Sequence, residues 1–394
     1  MNSPEIFVAS AVRTAIGTFG GTLKDTPPAR LATLVAQAAL SRAGCDPQWV
    51  EHVVFGNVIP TCPADAYISR VAALQAGIPK ETPAFMVNRL CGSGLQAIVS
   101  AAQGLLLGDG RIAIAGGAES MSQAPYLVPG ARWGARMGDT PMLDFMLGVL
   151  HDPLHRIHMG ITAENVARLY GITREDQDEL ALQSQRRAAR AIAEGRFDSQ
   201  IVPVELQTRR GVTQFDVDEH VRAEVTLEQL AKMKPAFSEG GTVTAGNASG
   251  LNDGASALLL ATGDAVKDLN LRPLARLVTY AHAGVEPTLM GLGPIPATRL
   301  ALQRAGLRVD DIDVIESNEA FAAQACAVAR ELGFDPDKVN PNGSGISLGH
   351  PVGASGAIIA TKAVHELQRI KGRFALATMC IGGGQGIAVI FERV

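Results

Sequence analysis

Apolar residues recur at helical spacing through Arg30–Ala43, where Leu31, Leu34, Val35, Ala38 and Ala39 share one face. The stretch ends at Gly44, a residue suited to the left-handed position that closes a helix. Shorter apolar runs at Ile6–Ala11, Val53–Val58, Ala84–Val87 and Ile112–Ala115 read as strands. Between the last two, the Ala-rich Gly92–Leu107 reads as a helix stopped by Gly108. Strand, helix, strand at this spacing predicts the βαβ units of a mostly parallel sheet, and so an α/β fold.

The pattern changes after about residue 122. Residues 122–251 carry many charges and few strand signals, with helices expected over Thr162–Tyr170 and Arg174–Glu194. Thr173 followed by Asp176 has capping-box spacing, with Asp in place of Glu or Gln. Strand and helix signals return at Ala255–Leu269. The last quarter then repeats the first. Ala39–Gly44 matches Ala301–Gly306, Cys91–Gly94 lies over Gly353–Gly356, and Ile112–Ala115 lies over Phe374–Ala377. All three blocks share an offset of 262 (301 − 39, 355 − 93 and 374 − 112). Three matches in one register predict two related α/β halves with an insertion between them. The expected division is 1–121 with 252–271, an inserted 122–251, and 272–394. Sites often form where such halves meet.

Composition narrows the function classes. At about 150 residues per domain, 394 residues suggest two or three domains. With 47% hydrophobic and only 19% charged residues, the chain is not of the disordered class. Its 42 glycines and 5% aromatics suit a layered α/β protein with close backbone approaches. Against 39 acidic residues, 35 basic ones leave no excess to neutralise a nucleic-acid backbone. No apolar run is expected to reach the roughly 18 residues of a membrane helix, the longest being segments such as Ala255–Thr262. Neither Met1–Glu5 nor Phe391–Val394 reads as a targeting address, so a cytoplasmic protein is expected. Cys45, Cys62, Cys91, Cys326 and Cys380 form no C-x-x-C pair, which makes them thiols and disfavours a cysteine zinc site.

Four segments carry candidate chemistry. Cys91, in Val87–Gly94, sits between a strand and a helix N-terminus, where amides and the helix dipole favour a thiolate. The competing reading is a buried structural cysteine. His350 lies in the Gly-rich Asn342–Gly356, just before a helix expected over Ala357–Gln368. Beside a thiol it can take the proton, and alone it is an ordinary turn histidine. Cys380 ends a strand and enters the glycine run Ile381–Gly386, which can present amides to an oxyanion. That run lacks the features of a P-loop or a dinucleotide fingerprint. Asn318, in Glu316–Ala322, can hold a water, donate to an oxyanion or cap a helix, and Glu319 reads as buried and paired.

Together these segments resemble the thiolase family, the acetyl-CoA acetyltransferases or β-ketothiolases. The resemblance runs from Val12-Arg13-Thr14 to Glu392 and includes His158–Asn165 and Thr244–Gly250. It is strongest to bacterial β-ketothiolases of polyhydroxyalkanoate synthesis, including the kind that accepts propionyl-CoA. It implies a thiolase-like fold of two pseudo-symmetric halves in a five-layer αβαβα core with an inserted loop domain.

The resemblance also implies roles. Cys91 is the acyl-carrying nucleophile, His350 assists its ionisation, and Cys380 is the acid/base at the α-carbon or the departing coenzyme A. Asn318 positions a water for one oxyanion hole with His350, and the amides of Cys91 and Gly382 form the second. Leu150, His158, Met159, Arg222, Phe237, Ala245, Ala248, Ser249, Leu251, Met290, Ala320 and Phe321 line the coenzyme A path. For Arg222, among Asp216, Asp218, Glu219 and Glu224, a solvated surface charge is the competing reading. The implied reaction is reversible Claisen condensation of acetyl-CoA with acetyl-CoA or propionyl-CoA, with thiolysis of short 3-ketoacyl-CoA in reverse. It needs no permanently bound cofactor, with coenzyme A entering as substrate.

A homotetramer is implied, with Ser120–Met146 as its contact loop. His151, His155 and His158 suggest a metal, but Pro153 interrupts any helix joining them and the family uses none. The family's Gly-Gly-Ala-Ile-Ala-Leu-Gly-His here reads Gly343-Ser344-Gly345-Ile346-Ser347-Leu348-Gly349-His350, and Ser317 stands where Ala is common. Acyl length is therefore open. A degradative thiolase for longer chains and a non-catalytic acyl-CoA carrier are the alternatives. A decarboxylating ketoacyl synthase usually has His where Asn318 stands, and a serine hydrolase would need a G-x-S-x-G elbow.

Overall fold

The computed structural model describes residues 4–209 and 211–394, leaving Met1–Ser3 of the leader reading outside. We number the principal elements in chain order. They are β1 (Ile6–Thr14), α1 (Pro28–Ala43), β2 (His52–Gly56), β3 (Ala84–Val87), α2 (Ser93–Leu107), β4 (Ile112–Ser120), α3 (Met159–Tyr170) and α4 (Arg174–Ala193). After them come β5 (Asn252–Thr262), β6 (Ala275–Gly284), α5 (Pro294–Ala305), β7 (Val314–Ser317), α6 (Ala322–Leu332), α7 (Val352–Ile370), β8 (Phe374–Ile381) and β9 (Gln385–Arg393).

The main sheet runs β7-β8-β9-β6-β1-β5-β4-β2-β3. Its two ends are built alike. On one side β2 pairs parallel with β4, and β4 antiparallel with β5. On the other, β7 pairs parallel with β8, and β8 antiparallel with β9. The ends join where Ile6, Phe7 and Val8 pair antiparallel with Leu277, Arg276 and Ala275. Strand β5 follows the insertion in sequence, yet lies between β1 and β4.

Strand alternation sorts the side chains into layers. Val53, Phe55, Ile112, Ile114 and Leu259 face α1 through Leu31 and Val35. Their neighbours Val54, Ala113, Ala115 and Leu258 face inward onto α2 and α7. Ala377, Met379, Ile387 and Val389 close that middle layer from the other half. Leu376, Ala388 and Ile390 point away, against Ile295 and Leu302 of α5 and Val328 of α6. The order is therefore helix, strand, helix, strand, helix.

The central position of α2 corrects one expectation. Leu90–Leu107 is an 18-residue stretch with mean hydropathy 1.4, long and apolar enough on those grounds to cross a membrane. Its apolar face is buried between the two ends of the sheet and α7, while Gln96, Ser100 and Gln103 line a half-buried polar stripe.

Helices α2 and α7 cross at glycines. A Cβ on Gly94 would sit 2.5 Å from Ala357 N, and one on Gly356 would sit 2.3 Å from Leu95 N. These residues are 262 apart, the offset of the repeat, so the crossing is its pseudo-symmetry axis in atomic detail. Helix α7 begins at Val352, five residues before the expected Ala357, and so brings its N-terminus close to His350.

The segment between the halves is tied to both. Arg13 on β1 grips Asp218 through two bonds of 2.7 and 2.9 Å, with both side chains fully buried. Ser184 on α4 donates to Glu319 at 2.6 Å. The capping box of Thr173 and Asp176 opens α4 as expected.

Candidate active site

The turn between β3 and α2 presents Cys91. Asn88 Oδ1 accepts the Leu90 N–H at 2.9 Å, and Leu90 takes φ 46°, a left-handed conformation unusual outside glycine. Ser93 Oγ donates to the Leu90 carbonyl at 2.6 Å and accepts the Arg89 N–H at 2.9 Å. A Cβ at Gly92 would lie 2.5 Å from Ile381 Cδ1, so glycine lets this turn rest on the end of β8. Half-buried Cys91 thereby meets Gly382, and the N–H groups of Gly382 and of Cys91 itself point at its sulfur.

Those amides do not make a resting thiolate. Burial pushes the Cys91 thiol up, the two amides offset only part of this, and buried Glu119 adds to the rise. This corrects the expectation drawn from the helix dipole, because desolvation outweighs it. Buried Cys380, at the end of β8, is raised as well, by burial and by Cys91.

His350 is held from the other half. Its N–H donates to Asn252 Oδ1 on β5 at 2.9 Å, and Asn252 Nδ2 donates to the Gly17 carbonyl at 3.0 Å. Gly349 before it has φ 110°, and a Cβ there would be 2.5 Å from Asn252. The ring is buried, which lowers its pKa to about 4 and keeps the imidazole neutral near pH 7. Nδ1 lies 2.6 Å from Ser355 Oγ, while Nε2 has no partner among the described residues.

Cys91, His350, Cys380 and Gly382 line one cavity of about 400 Å3. Every residue expected on the coenzyme A path lines it too: Leu150, His158, Met159, Arg222, Phe237, Ala245, Ala248, Ser249, Leu251, Met290, Ala320 and Phe321. His158 stacks on Phe237 at 4.7 Å, and Phe237 meets Phe321 edge-on at 6.0 Å. A Cβ at Gly160 would be 2.2 Å from the Phe237 ring, so glycine there permits the stack. Exposed Arg222 stands at the rim, anchored by its N–H to Gln185 Oε1 at 2.8 Å. Among the described residues its guanidinium has no ion-pair partner, despite the acidic residues around it in sequence. Met121, Leu147, His220, Ala236, Gly250 and Val352 complete the lining and were not foreseen. Val352 was legible two residues after His350 and Gly250 at the end of Thr244–Gly250, whereas Met121, Leu147, His220 and Ala236 lie outside the motifs.

Asn318 does not line this cavity. It lies on a separate small one with Ser355, Ser344 and Lys362, and its Nδ2 has no protein partner. Nor does it cap a helix, since α6 begins at Ala322. Glu319 is buried and accepts from Ser184 and from Asn340 Nδ2 at 2.9 Å, the paired role expected for it. His155 turns to Asp152, while His151 packs edge-on against His158. A larger groove of about 820 Å3 lies along α4 and α6. It holds Cys326, whose thiol burial pushes up to about 12, and no histidine to activate it.

The sequence falls into known families over nearly its full length. Residues 6–264 match the thiolase N-terminal domain and residues 271–393 the thiolase C-terminal domain. The chain belongs to the thiolase family. As a thiolase it is an acyltransferase with coenzyme A-linked chemistry. It is 64% identical over 391 residues to the beta-ketothiolase BktB of Cupriavidus necator, covering 99% of each chain. It is 49% identical to the mitochondrial 3-ketoacyl-CoA thiolase of Bos taurus, over 98% of each. Human mitochondrial 3-ketoacyl-CoA thiolase superposes with a TM-score of 0.98 at 46% identity, covering both chains completely.

Proposed function

We propose that the chain is a β-ketothiolase for short acyl groups, condensing acetyl-CoA with acetyl-CoA or propionyl-CoA and cleaving the products with coenzyme A. The observation that carries this is two thiols and a neutral imidazole with an unpartnered Nε2 on one apolar-walled cavity with a cationic rim. Relatives named beta-ketothiolase, acetyl-CoA acetyltransferase and 3-ketoacyl-CoA thiolase support acyl-CoA substrates, and propionyl-CoA rests on the family resemblance alone.

The sequence of steps balances in protons. His350 Nε2 takes the Cys91 proton, and the sulfur attacks the acyl carbonyl. The amides of Cys91 and Gly382 stabilise the oxyanion. Coenzyme A leaves as a thiol with the proton of Cys380. The Cys380 thiolate then takes the α-proton of the second acyl-CoA. The resulting enolate carbon bonds to the Cys91 thioester carbonyl, and the Cys91 sulfur departs with the proton held on His350. Every group returns to its starting state.

The raised pKa of Cys380 fits this order. An α-carbon is a weak acid, and a strongly basic thiolate matches it better than a weakly basic one. Asn318 takes no step in this sequence: it lies on the small cavity it shares with Ser355, the residue beside His350 Nδ1.

A second observation supports the short chain. Beside Cys91 lies a cavity of only about 20 Å3, walled by Val58, Ile59, Leu90, Met121, Val149 and Val352 among others. That is the scale of one methyl or methylene group, and packed interiors respond to a change of that size.

Thiolysis of acetoacetyl-CoA and 3-ketovaleryl-CoA with free coenzyme A tests the proposal. Both should be cleaved by the wild type, and neither by Cys91→Ala. Cleavage restricted to longer 3-ketoacyl-CoA would favour the degradative alternative, and no cleavage of any would favour a carrier.

A further inference from the structure

The Ser355 hydroxyl has one proton and two neighbours. It donates to the Pro351 carbonyl at 2.9 Å and lies 2.6 Å from His350 Nδ1. With its proton committed to Pro351, it offers Nδ1 only a lone pair. An imidazole that donates from Nδ1 completes this arrangement and leaves the lone pair on Nε2, which has no partner among the described residues. Among the described residues nothing else bonds to Nδ1.

The internal repeat gives this serine a counterpart. Ser93 stands 262 residues earlier, in the same first helical turn, and its hydroxyl is likewise committed to a carbonyl, that of Leu90 at 2.6 Å. Its free lone pair accepts the backbone N–H of Arg89 at 2.9 Å, closing the Cys91 turn. Both halves thus carry one device: a serine that donates back into the turn before it and accepts from that turn. In the second half the accepted group is an imidazole.

We propose that Ser355 is a positioning residue that fixes His350 as the Nδ1–H tautomer, so that Nε2 is the nitrogen that exchanges the Cys91 proton. Ser355 touches no substrate, and the assignment rests on the thiolase reading of Cys91 and His350. The titratable groups on the same cavity are Cys91, Cys380, His158, His220 and Arg222, and Glu119 holds the Gly353 N–H at 2.8 Å. Lys362 and Glu316 lie behind the ring, paired at 2.6 Å. Among the described residues only Ser355 bonds the ring itself.

The test is nitrogen-15 NMR of histidine-labelled full-length protein at pH 7 without substrate, with His350 assigned by its absence from the His350→Gln spectrum. Wild type should show a protonated Nδ1 and an unprotonated Nε2. Ser355→Ala should mix the tautomers and lower kcat roughly 10- to 100-fold, within what a positioned base contributes, with KM little changed. Ser355→Thr, which keeps the hydroxyl, should restore both. A wild-type Nε2–H tautomer overturns the proposal, as does an unchanged tautomer in Ser355→Ala. The wild-type spectrum decides even if Ser355→Ala fails to fold. Because the spectrum is read without substrate, a wrong substrate assignment leaves the tautomer result standing.

Discussion

His350 is neutral in the folded chain because burial lowers its pKa to about 4, against about 6.5 when unfolded. The unfolded state therefore binds the extra proton first as pH falls. Stability from this group is full above about pH 6.5 and is lost as pH drops toward 4. At pH 5 the loss is about 2 kcal/mol. His350→Gln should therefore lose less stability than wild type between pH 7 and pH 5 in parallel urea titrations. Equal losses would show the imidazole to be far less buried than described.

A second residue-scale prediction concerns Val149, on the wall of the small cavity beside Cys91. Val149→Ala should raise kcat/KM for 3-ketohexanoyl-CoA relative to acetoacetyl-CoA by about 10-fold, the low end of what one methylene contributes to discrimination. An unchanged ratio would place the acyl tail elsewhere. Cys91, His350 and Cys380 were legible in the sequence because each sits in a glycine-marked turn at an element boundary. The directions of the two thiol shifts were not legible, because desolvation depends on residues hundreds of positions away. Ser355 lay in plain view, matched to Ser93 by the repeat, but its bond to Nδ1 needs coordinates.

Among the elements, the crossing of α2 and α7 sets the distance between the two chemical turns, since Cys91 and His350 sit at the heads of these helices. Gly94→Ala would bring a Cβ to 2.5 Å from Ala357 N and to 3.2 Å from the Ala354 carbonyl. It should cost at least about 1–3 kcal/mol through overpacking and reduce activity further as the helices part. Gly104→Ala, on the same helix, meets nothing closer than 3.5 Å. It should leave activity intact and raise stability by up to about 1 kcal/mol, the helix preference of alanine over glycine. Thermal melts and thiolysis rates of the pair check this, and equal effects would mean the crossing does not govern the site. The glycines also explain where the sequence misled. Helix α7 was expected to start late because Gly353 and Gly356 weigh against a helix by propensity. Strand β4 was cut short at Ala115 because Gly116 and Gly117 follow. In the fold, a Cβ at Gly117 would lie 2.2 Å from the Gly353 carbonyl, so contact between the halves requires glycine there.

At the scale of the whole molecule, apolar side chains of the 126–147 excursion remain open to solvent. Trp133 is 86% and Met137 98% exposed, with Tyr126, Met142 and Leu143 also uncovered. A group of this kind marks an association surface, and a homotetramer built through it is the assembly we propose. Trp133→Asp combined with Met137→Asp should lower the sedimenting mass while leaving the fold intact, and an unchanged mass would assign the contact to another face. The two-halves architecture was readable from three sequence blocks in one register. The cavity was not, because its walls come from both halves and from the insertion between them. The resemblance supplied its lining, and the structure brings those residues together, apart from Asn318. Everything proposed for this cavity requires an acyl group on Cys91. Incubation with acetyl-CoA alone, acid quench and peptide mass spectrometry tests that directly. The expected result is a gain of about 42 Da, one acetyl group, on the peptide containing Cys91, lost on adding free coenzyme A. An acetyl group found on Cys380 instead, or no adduct on folded protein, would contradict it.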